Sequence, residues 1–187
     1  MRSKADIIRD DLAGRNVLDI GGRGYGQHKA YEEEMAEAWR MCKSRVCLDF
    51  RPGADIVVDL NALPLPSCDD LYEIATAFDV LEHLTNPVDV LRWIPSNHLI
   101  VAVPNALSWI ARWMERRNKL KHLFSFTLYT ASVLLQEGGW RVRRVEYQFG
   151  RWSMTAKAIN LLGSLFPSRI ATGIVLHCER APHKKRM

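Results

Sequence analysis

Three aspartates and a run of glycines are the first residues of this chain that could do chemistry together. Asp19 is followed by Gly21, Gly22, Gly24 and Gly26, while Asp49 and Asp59 each close a short apolar run. Glycines let a backbone turn sharply and come close to a ligand. A carboxylate at a strand end can accept from both hydroxyls of a ribose, which points to Asp49. The spacing then narrows the nucleoside. A dinucleotide fingerprint needs glycines at i, i+2 and i+5. Counted from Gly22 the third slot is Gln27, and counted from Gly21 the second slot is Arg23. No GxxxxGK phosphate loop occurs either. A glycine loop without a phosphate cradle, followed by a ribose-type acid, suits a nucleoside that carries no phosphates. An acid at the open end of a strand is expected to support little of the core, so Asp49 should matter for binding more than for folding.

A second group stands after the fourth apolar run, where Ala77, Phe78 and Asp79 are followed by Glu82-His83. His83 is the first candidate for a general base, with His122 and Tyr129 behind it. The plain alternative is a histidine that only packs or caps. Glu82 and His83 suggest a metal, but no third ligand is spaced to join them, so no metal site is expected. The four cysteines form no CxxC pair and no zinc-type set with histidine. They read as reduced thiols in a cytoplasmic protein.

The elements that must hold these residues follow from hydrophobic periodicity. NVLDI at 16–20 is a buried strand ended by glycines. Residues 27–43 carry Tyr31, Met35, Ala38, Trp39 and Cys42 at helical spacing, with glutamates opposite. Further strands are expected at 45–49, 56–59, 73–78 and 98–103. Pro87 opens a helix striped by Val88, Leu91 and Ile94. Thr127 can cap another helix, with Leu128, Ala131, Leu134 and Leu135 inside and Gly138-Gly139 at its end. Val145, Tyr147 and Phe149 alternate in a sixth strand, and 174–178 make a seventh. Two apolar helical segments, 106–120 and 152–166, stand between. Apolar strands alternating with helices give an α/β fold, a parallel sheet covered on both faces. One domain over 1–181 accounts for the length, with a loose basic tail at 182–187.

Charge divides the chain. Residues 1–104 carry net −6 and residues 105–187 net +11. A basic second half suggests an anionic partner: a phosphate-bearing substrate, a nucleic acid or an acidic membrane surface. The alternative is a merely solvated basic face. Trp109, Trp113 and Trp152 lie among arginines, a pattern compatible with peripheral membrane contact. No run reaches the roughly 20 apolar residues of a membrane span.

VLDIGGRGYG, VCLDF, VVDLNALPLP and FDVLEHLTNP, in this order, resemble the class I S-adenosylmethionine-dependent methyltransferases. The nearest likeness is to the small-molecule and ubiquinone-type branch with a VLEH segment. HLFSFTLYTASVLLQEGGW resembles that branch before its sixth strand. The resemblance spans residues 16–147 and implies a Rossmann-like, doubly wound sheet of seven strands in the order 3-2-1-4-5-7-6, the seventh antiparallel. It implies S-adenosyl-L-methionine as cofactor. Asp19, Gly21, Gly22 and Gly24 would line the methionine part, Asp49 the ribose and Phe50 the adenine face. Asp59 and Leu60 would meet the adenine edge, and Ala77 and Phe78 the methionine chain. The family's usual acid-x-Gly-x-Gly-x-Gly is altered here, with glycines two, three, five and seven residues after Asp19. Segments 106–120 and 152–166 fall where this family varies to form an acceptor pocket.

Three functions remain open at this level. The first is methyl transfer to a small-molecule, lipid or glycan-type acceptor. The second is nucleic-acid methylation, which the basic half favours. Against it, Phe78-Asp79-Val80-Leu81 replaces the Asn/Asp-Pro-Pro-aromatic motif of the amino-methylating enzymes of this fold. The third is a non-catalytic binding module that has kept the fold.

Overall fold

The computed structural model describes residues 3–22, 29–62, 64–65, 71–115, 122–149 and 166–182. Seven strands form one sheet: β1 (Asn16–Ile20), β2 (Ser44–Asp49), β3 (Ile56–Val57), β4 (Ile74–Phe78), β5 (His98–Pro104), β6 (Trp140–Gln148) and β7 (Gly173–Arg180). Their order is β3-β2-β1-β4-β5-β7-β6. The β1 to β5 neighbours are parallel, while β7 runs antiparallel to both β5 and β6. The expected order and the reversed seventh strand are both present.

Period-two alternation decides which side chain meets which layer. Leu18, Ile20, Ala75, Ala77, Leu99, Val101, Leu176 and Cys178 point to one face. That face is covered by α3 (Pro87–Trp93) and α5 (Leu128–Glu137), through Val90, Leu91, Ala131 and Leu135. Val17, Ile74, Phe78, Ile100, Ala102 and Val175 point to the other face. There they meet α1 (Lys4–Leu12) and α2 (Lys29–Arg40) through Ile8, Leu12, Met35 and Ala38. Each buried Val, Leu, Ile, Phe or Met among them contributes about 1.5–3 kcal/mol relative to exposure. Two further helices, α4 (Trp109–Glu115) and α6 (Pro167–Ile170), lie on the later half of the chain.

Several expectations shift. The helix α1 was not anticipated. It is set by a capping box in which Ser3 accepts from the Asp6 backbone and Asp6 accepts from Ser3. Strand β3 is shorter than 56–59, so Asp59 stands in the following loop, where its Oδ1 accepts from the Asn61 backbone at 2.9 Å. Strand β6 begins at Trp140, well before Val145. Its start was hidden because Trp140 to Arg144 are mostly basic, and the register is irregular between Val142 and Arg144. Trp140 is buried against α3, and its Nε1 donates to the Leu91 carbonyl at 2.8 Å. Gly24, the segment 152–165 and the tail 183–187 lie outside the described residues. No helix among the described residues is long and apolar enough to cross a membrane.

Candidate functional site

The chain runs outward from β1 to β2 and β3, then returns to β4 on β1's other side. Neighbouring loops therefore leave the sheet in opposite directions at the carboxyl ends of β1 and β4. Open α/β sheets bind ligands in the crevice this creates. Gly21 and Gly22 leave β1 there, Asp49 ends β2 beside them, and Asp79 to His83 leave β4.

The glycine turn is built tightly. The Gly21 N–H donates to the Leu48 carbonyl at 2.7 Å, tying the turn to β2 one residue before Asp49. Gly21 has φ +71°, and a Cβ there would stand 2.4 Å from Val80 Cγ2. A Cβ on Gly22 would stand 2.0 Å from Asp19 Oδ2. Only glycine fits either position. Asp19 itself is buried and already bonded. Arg45 donates from Nε at 2.9 Å and from Nη2 at 2.5 Å to its Oδ2, and Thr76 Oγ1 donates to its Oδ1 at 2.7 Å. Burial pushes the Asp19 carboxyl above its ordinary value, against the opposing pull of Arg45 and Thr76. Arg45 Nη2 also donates to the Gly22 carbonyl at 3.1 Å, and its guanidinium lies over Trp39 at 4.5 Å. Asp19 thus shapes the turn through Arg45.

Asp49 departs from expectation in one respect. It is only 4% exposed, and its Oδ1 accepts from the Arg51 backbone at 3.0 Å. It braces the turn after β2 as well as standing at the crevice, so a fold contribution has to be assigned to it. Phe50 beside it is 59% exposed, with the Arg51 guanidinium 5.2 Å from its ring centroid. Such a ring offers an open face at the strand end. Leu60 is buried in the first core layer. Ala77 and Phe78 point to opposite faces of β4, and Phe78 packs against Trp39 with ring centroids 6.2 Å apart.

Asp79 is the one described non-glycine residue with left-handed backbone, at φ +54°. Such a conformation persists where surrounding contacts enforce it. Here Lys4 of α1, itself buried, donates from Nζ to Asp79 Oδ2 at 2.5 Å. The bend turns the chain into a short 3-10 helix, Leu81–His83. Glu82 is fully buried, while His83 is half-buried. Burial lowers the proton affinity of His83, His122 lowers it further, and the charge of Asp79 works the other way.

His122 reaches this turn from far along the chain. The Leu123 and Phe124 N–H groups both donate to the Glu82 carbonyl, at 2.8 and 3.3 Å. The rings of His83 and His122 meet edge to face with centroids 4.8 Å apart. One ligand atom each from Glu82, His83 and His122 lie within 4.8 Å of one another. His122 thus stands as a third group beside Glu82 and His83, one that the sequence spacing does not offer. The third group comes from tertiary pairing, which no local spacing in the sequence could reveal. Tyr129 is 76% exposed on α5. On α4, Ile110 is buried whereas Trp109 and Trp113 are exposed, so the helix is core on one side and open on the other.

This arrangement is the fold of the S-adenosylmethionine-dependent methyltransferases. No family model and no curated protein sequence matches the chain. Its likeness is to solved structures. An S-adenosylmethionine-dependent methyltransferase from Mesorhizobium loti is 17% identical with a TM-score of 0.56, covering 90% of this chain and 92% of that one. The 1,6-didemethyltoxoflavin-N1-methyltransferase of Burkholderia thailandensis, solved with 1,6-didemethyltoxoflavin and S-adenosylhomocysteine bound, is 12% identical with a TM-score of 0.58, covering 95% and 76%. The cyclase SpnF is 13% identical with a TM-score of 0.58, covering 96% and 80%. The likeness establishes architecture. Activity has to be argued from the site.

Proposed function

We propose that this chain binds S-adenosyl-L-methionine across the carboxyl ends of β1, β2 and β4 and transfers its methyl group to a small, anionic acceptor. The observation that carries this is the junction of β1 and β2. A two-glycine turn with no room for a Cβ is bonded to the strand that ends in Asp49. A backbone that close to a ligand suits the methionine part, with Asp49 for the ribose hydroxyls and exposed Phe50 for the adenine face. Asp59, exposed in its loop, and Leu60 would meet the adenine edge. Ala77 and Phe78 would border the methionine chain through their backbone, since their side chains are core.

Methyl transfer is a displacement at the sulfonium carbon, and the protein's part is chiefly to hold the acceptor in line and dry. His83 stands at the β4 exit and acts on the acceptor's proton where the acceptor carries one. The acceptor is a small molecule, lipid or glycan precursor. The net +11 of residues 105–187 supports negative charge on it, and the exposed Trp109 and Trp113 support an apolar part or a membrane that delivers it.

Calorimetry tests the reading directly. S-adenosylmethionine and S-adenosylhomocysteine should both bind, and NAD should not. Hydrogen bonds to a charged group contribute roughly 1.5–3 kcal/mol each. Asp49→Ala should therefore weaken cofactor binding by about 2–5 kcal/mol, at least about 30-fold. Asp49→Asn should lose less, because the amide keeps one acceptor oxygen. Tight NAD binding, or a folded Asp49→Ala that binds S-adenosylmethionine like the parent, would overturn the assignment.

A further inference from the structure

Glu82, His83 and His122 form a cluster that methyl transfer by itself does not require. Its position is fixed twice over. The Leu81–His83 turn follows β4 at the crevice, and the backbone bonds from Leu123 and Phe124 to the Glu82 carbonyl pin the neighbouring His122 against that turn. The three side chains offer one carboxylate oxygen and two imidazole nitrogens within 4.8 Å of one another. Metal bonds of about 2.0–2.2 Å set ligand atoms about 3.4 Å apart around a tetrahedral ion. Side-chain rotations moving the donor atoms by roughly 1 Å would close the cluster onto an ion of that size.

We propose that Glu82, His83 and His122 bind one divalent first-row transition cation at the acceptor side of the crevice. The donor set narrows the choice. Imidazole nitrogen suits zinc, iron, cobalt, nickel and copper, whereas magnesium and calcium favour oxygen ligands throughout. Glu82 is 0% exposed and half-buried His83 and His122 flank it, so the ion would sit at the wall of the crevice with its remaining positions toward the open side. Three protein ligands with open positions are the pattern of metal sites that take a substrate.

The role of those positions rests on the methyltransferase reading, although binding of the ion does not. A cation of this kind lowers the proton affinity of a hydroxyl it holds. The acceptor would then be an oxygen nucleophile, an alcohol, phenol or enol. Its proton passes to water, its oxygen lone pair forms the new bond to the methyl carbon, and the carbon–sulfur pair leaves with sulfur as a neutral thioether. As a ligand, His83 would act on that proton through the ion and not by taking it.

The test uses the full chain stripped with EDTA and titrated with cobalt(II) chloride, followed by calorimetry and visible absorption. One equivalent should bind and develop the absorption of a nitrogen- and oxygen-ligated cobalt ion. His122→Ala alters a partly exposed position, so its melting temperature should stay near the parent's, while its cobalt affinity should fall more than about 100-fold, beyond the loss typical of an outer-shell change. Glu82→Gln is the second variant, isosteric at the buried position. Absence of stoichiometric cobalt binding overturns the proposal. So does parent-like binding in either folded variant. S-adenosylmethionine affinity of the stripped protein is measured separately. Cofactor binding without cobalt binding sinks only the metal site, and cobalt binding without cofactor binding sinks only the methyltransferase reading.

Discussion

The two sides of the crevice are built differently. On the β1–β2 side the carboxylates and the glycine turn are already committed to the protein before any ligand arrives, and Phe50 keeps an open ring face. Asp19 is held by Arg45 and Thr76, the glycine turn by Leu48 and Asp49 by the Arg51 backbone. On the β4 side Leu123 stays exposed beside the Glu82 turn, and on the helices that follow β5, Trp109, Trp113 and Tyr129 are exposed as well. The histidines there meet through backbone bonds between segments 40 residues apart. A fixed cofactor needs a preformed cradle, whereas an acceptor site gains affinity by covering apolar surface on binding. The comparison predicts that changes on the first side cost stability and cofactor binding together, while changes on the second separate the two.

The largest effect is expected at Asp19. Removing one partner of a buried ion pair costs about 3–5 kcal/mol. Arg45 is only partly buried and can turn toward water, so Asp19→Ala should fall near the lower end, about 3 kcal/mol. Thr76, fully buried, would also lose the acceptor for its hydroxyl. Cofactor affinity should drop with stability, because Arg45 also fixes the Gly22 carbonyl. Urea unfolding and calorimetry of the same preparation measure both. A variant that unfolds at the parent's urea midpoint would show that the cradle is not held by Asp19.

The same contrast explains what could be read from the chain alone. Asp19, Asp49 and the glycines are legible because strand, turn and acid are contiguous, and a short apolar run ended by Gly or Asp has few other meanings. The strand order followed from the family resemblance and is present. His122 lay beyond local reading, since its partner Glu82 is reached only through the fold. Helix α1 was missed because its apolar face is only Ala5, Ile7, Ile8 and Leu12, interleaved with charge, and its lysine is buried against Asp79 instead of solvated. The ends of β1, β2 and β4 were legible, but the early end of β3 and the burial of Asp49 were not. Nothing in VCLDF tells that its carboxylate folds back on the Arg51 N–H.

Gly138 sharpens the comparison from the other side. It ends α5 with φ −73°, which any residue adopts, so only space is at issue. A Cβ there would stand 2.5 Å from Leu91 Cβ in the packed core. Overpacking of this kind costs about 1–3 kcal/mol. Gly138→Ala should lower the melting temperature accordingly while leaving S-adenosylmethionine affinity within about twofold, since α5 and α3 lie away from the β1–β2 ends. A matched loss of cofactor affinity would mean that the two sides are mechanically one.

The smallest effects come from the two capping boxes, which have the same chemistry at different places. Ser3 caps α1 and Thr127 caps α5, each accepting from the backbone N–H three residues on, at 3.2 and 3.1 Å. Replacing such a cap by alanine typically costs about 1 kcal/mol. Ser3→Ala and Thr127→Ala should therefore destabilise the fold about equally in urea. Their effects on the crevice should differ. The first turn of α1 carries Lys4, whose ammonium holds Asp79 at the left-handed bend out of β4. Fraying that turn frees the bend, and the Gly21 turn packs on Val80 next to it. Ser3→Ala should weaken S-adenosylmethionine binding several-fold, and Thr127→Ala should leave it unchanged. If both variants bind the cofactor like the parent, the Lys4–Asp79 pair is a structural strut. If Thr127→Ala weakens it as much as Ser3→Ala, the caps act through global stability, and the division between a preformed side and an open side does not hold.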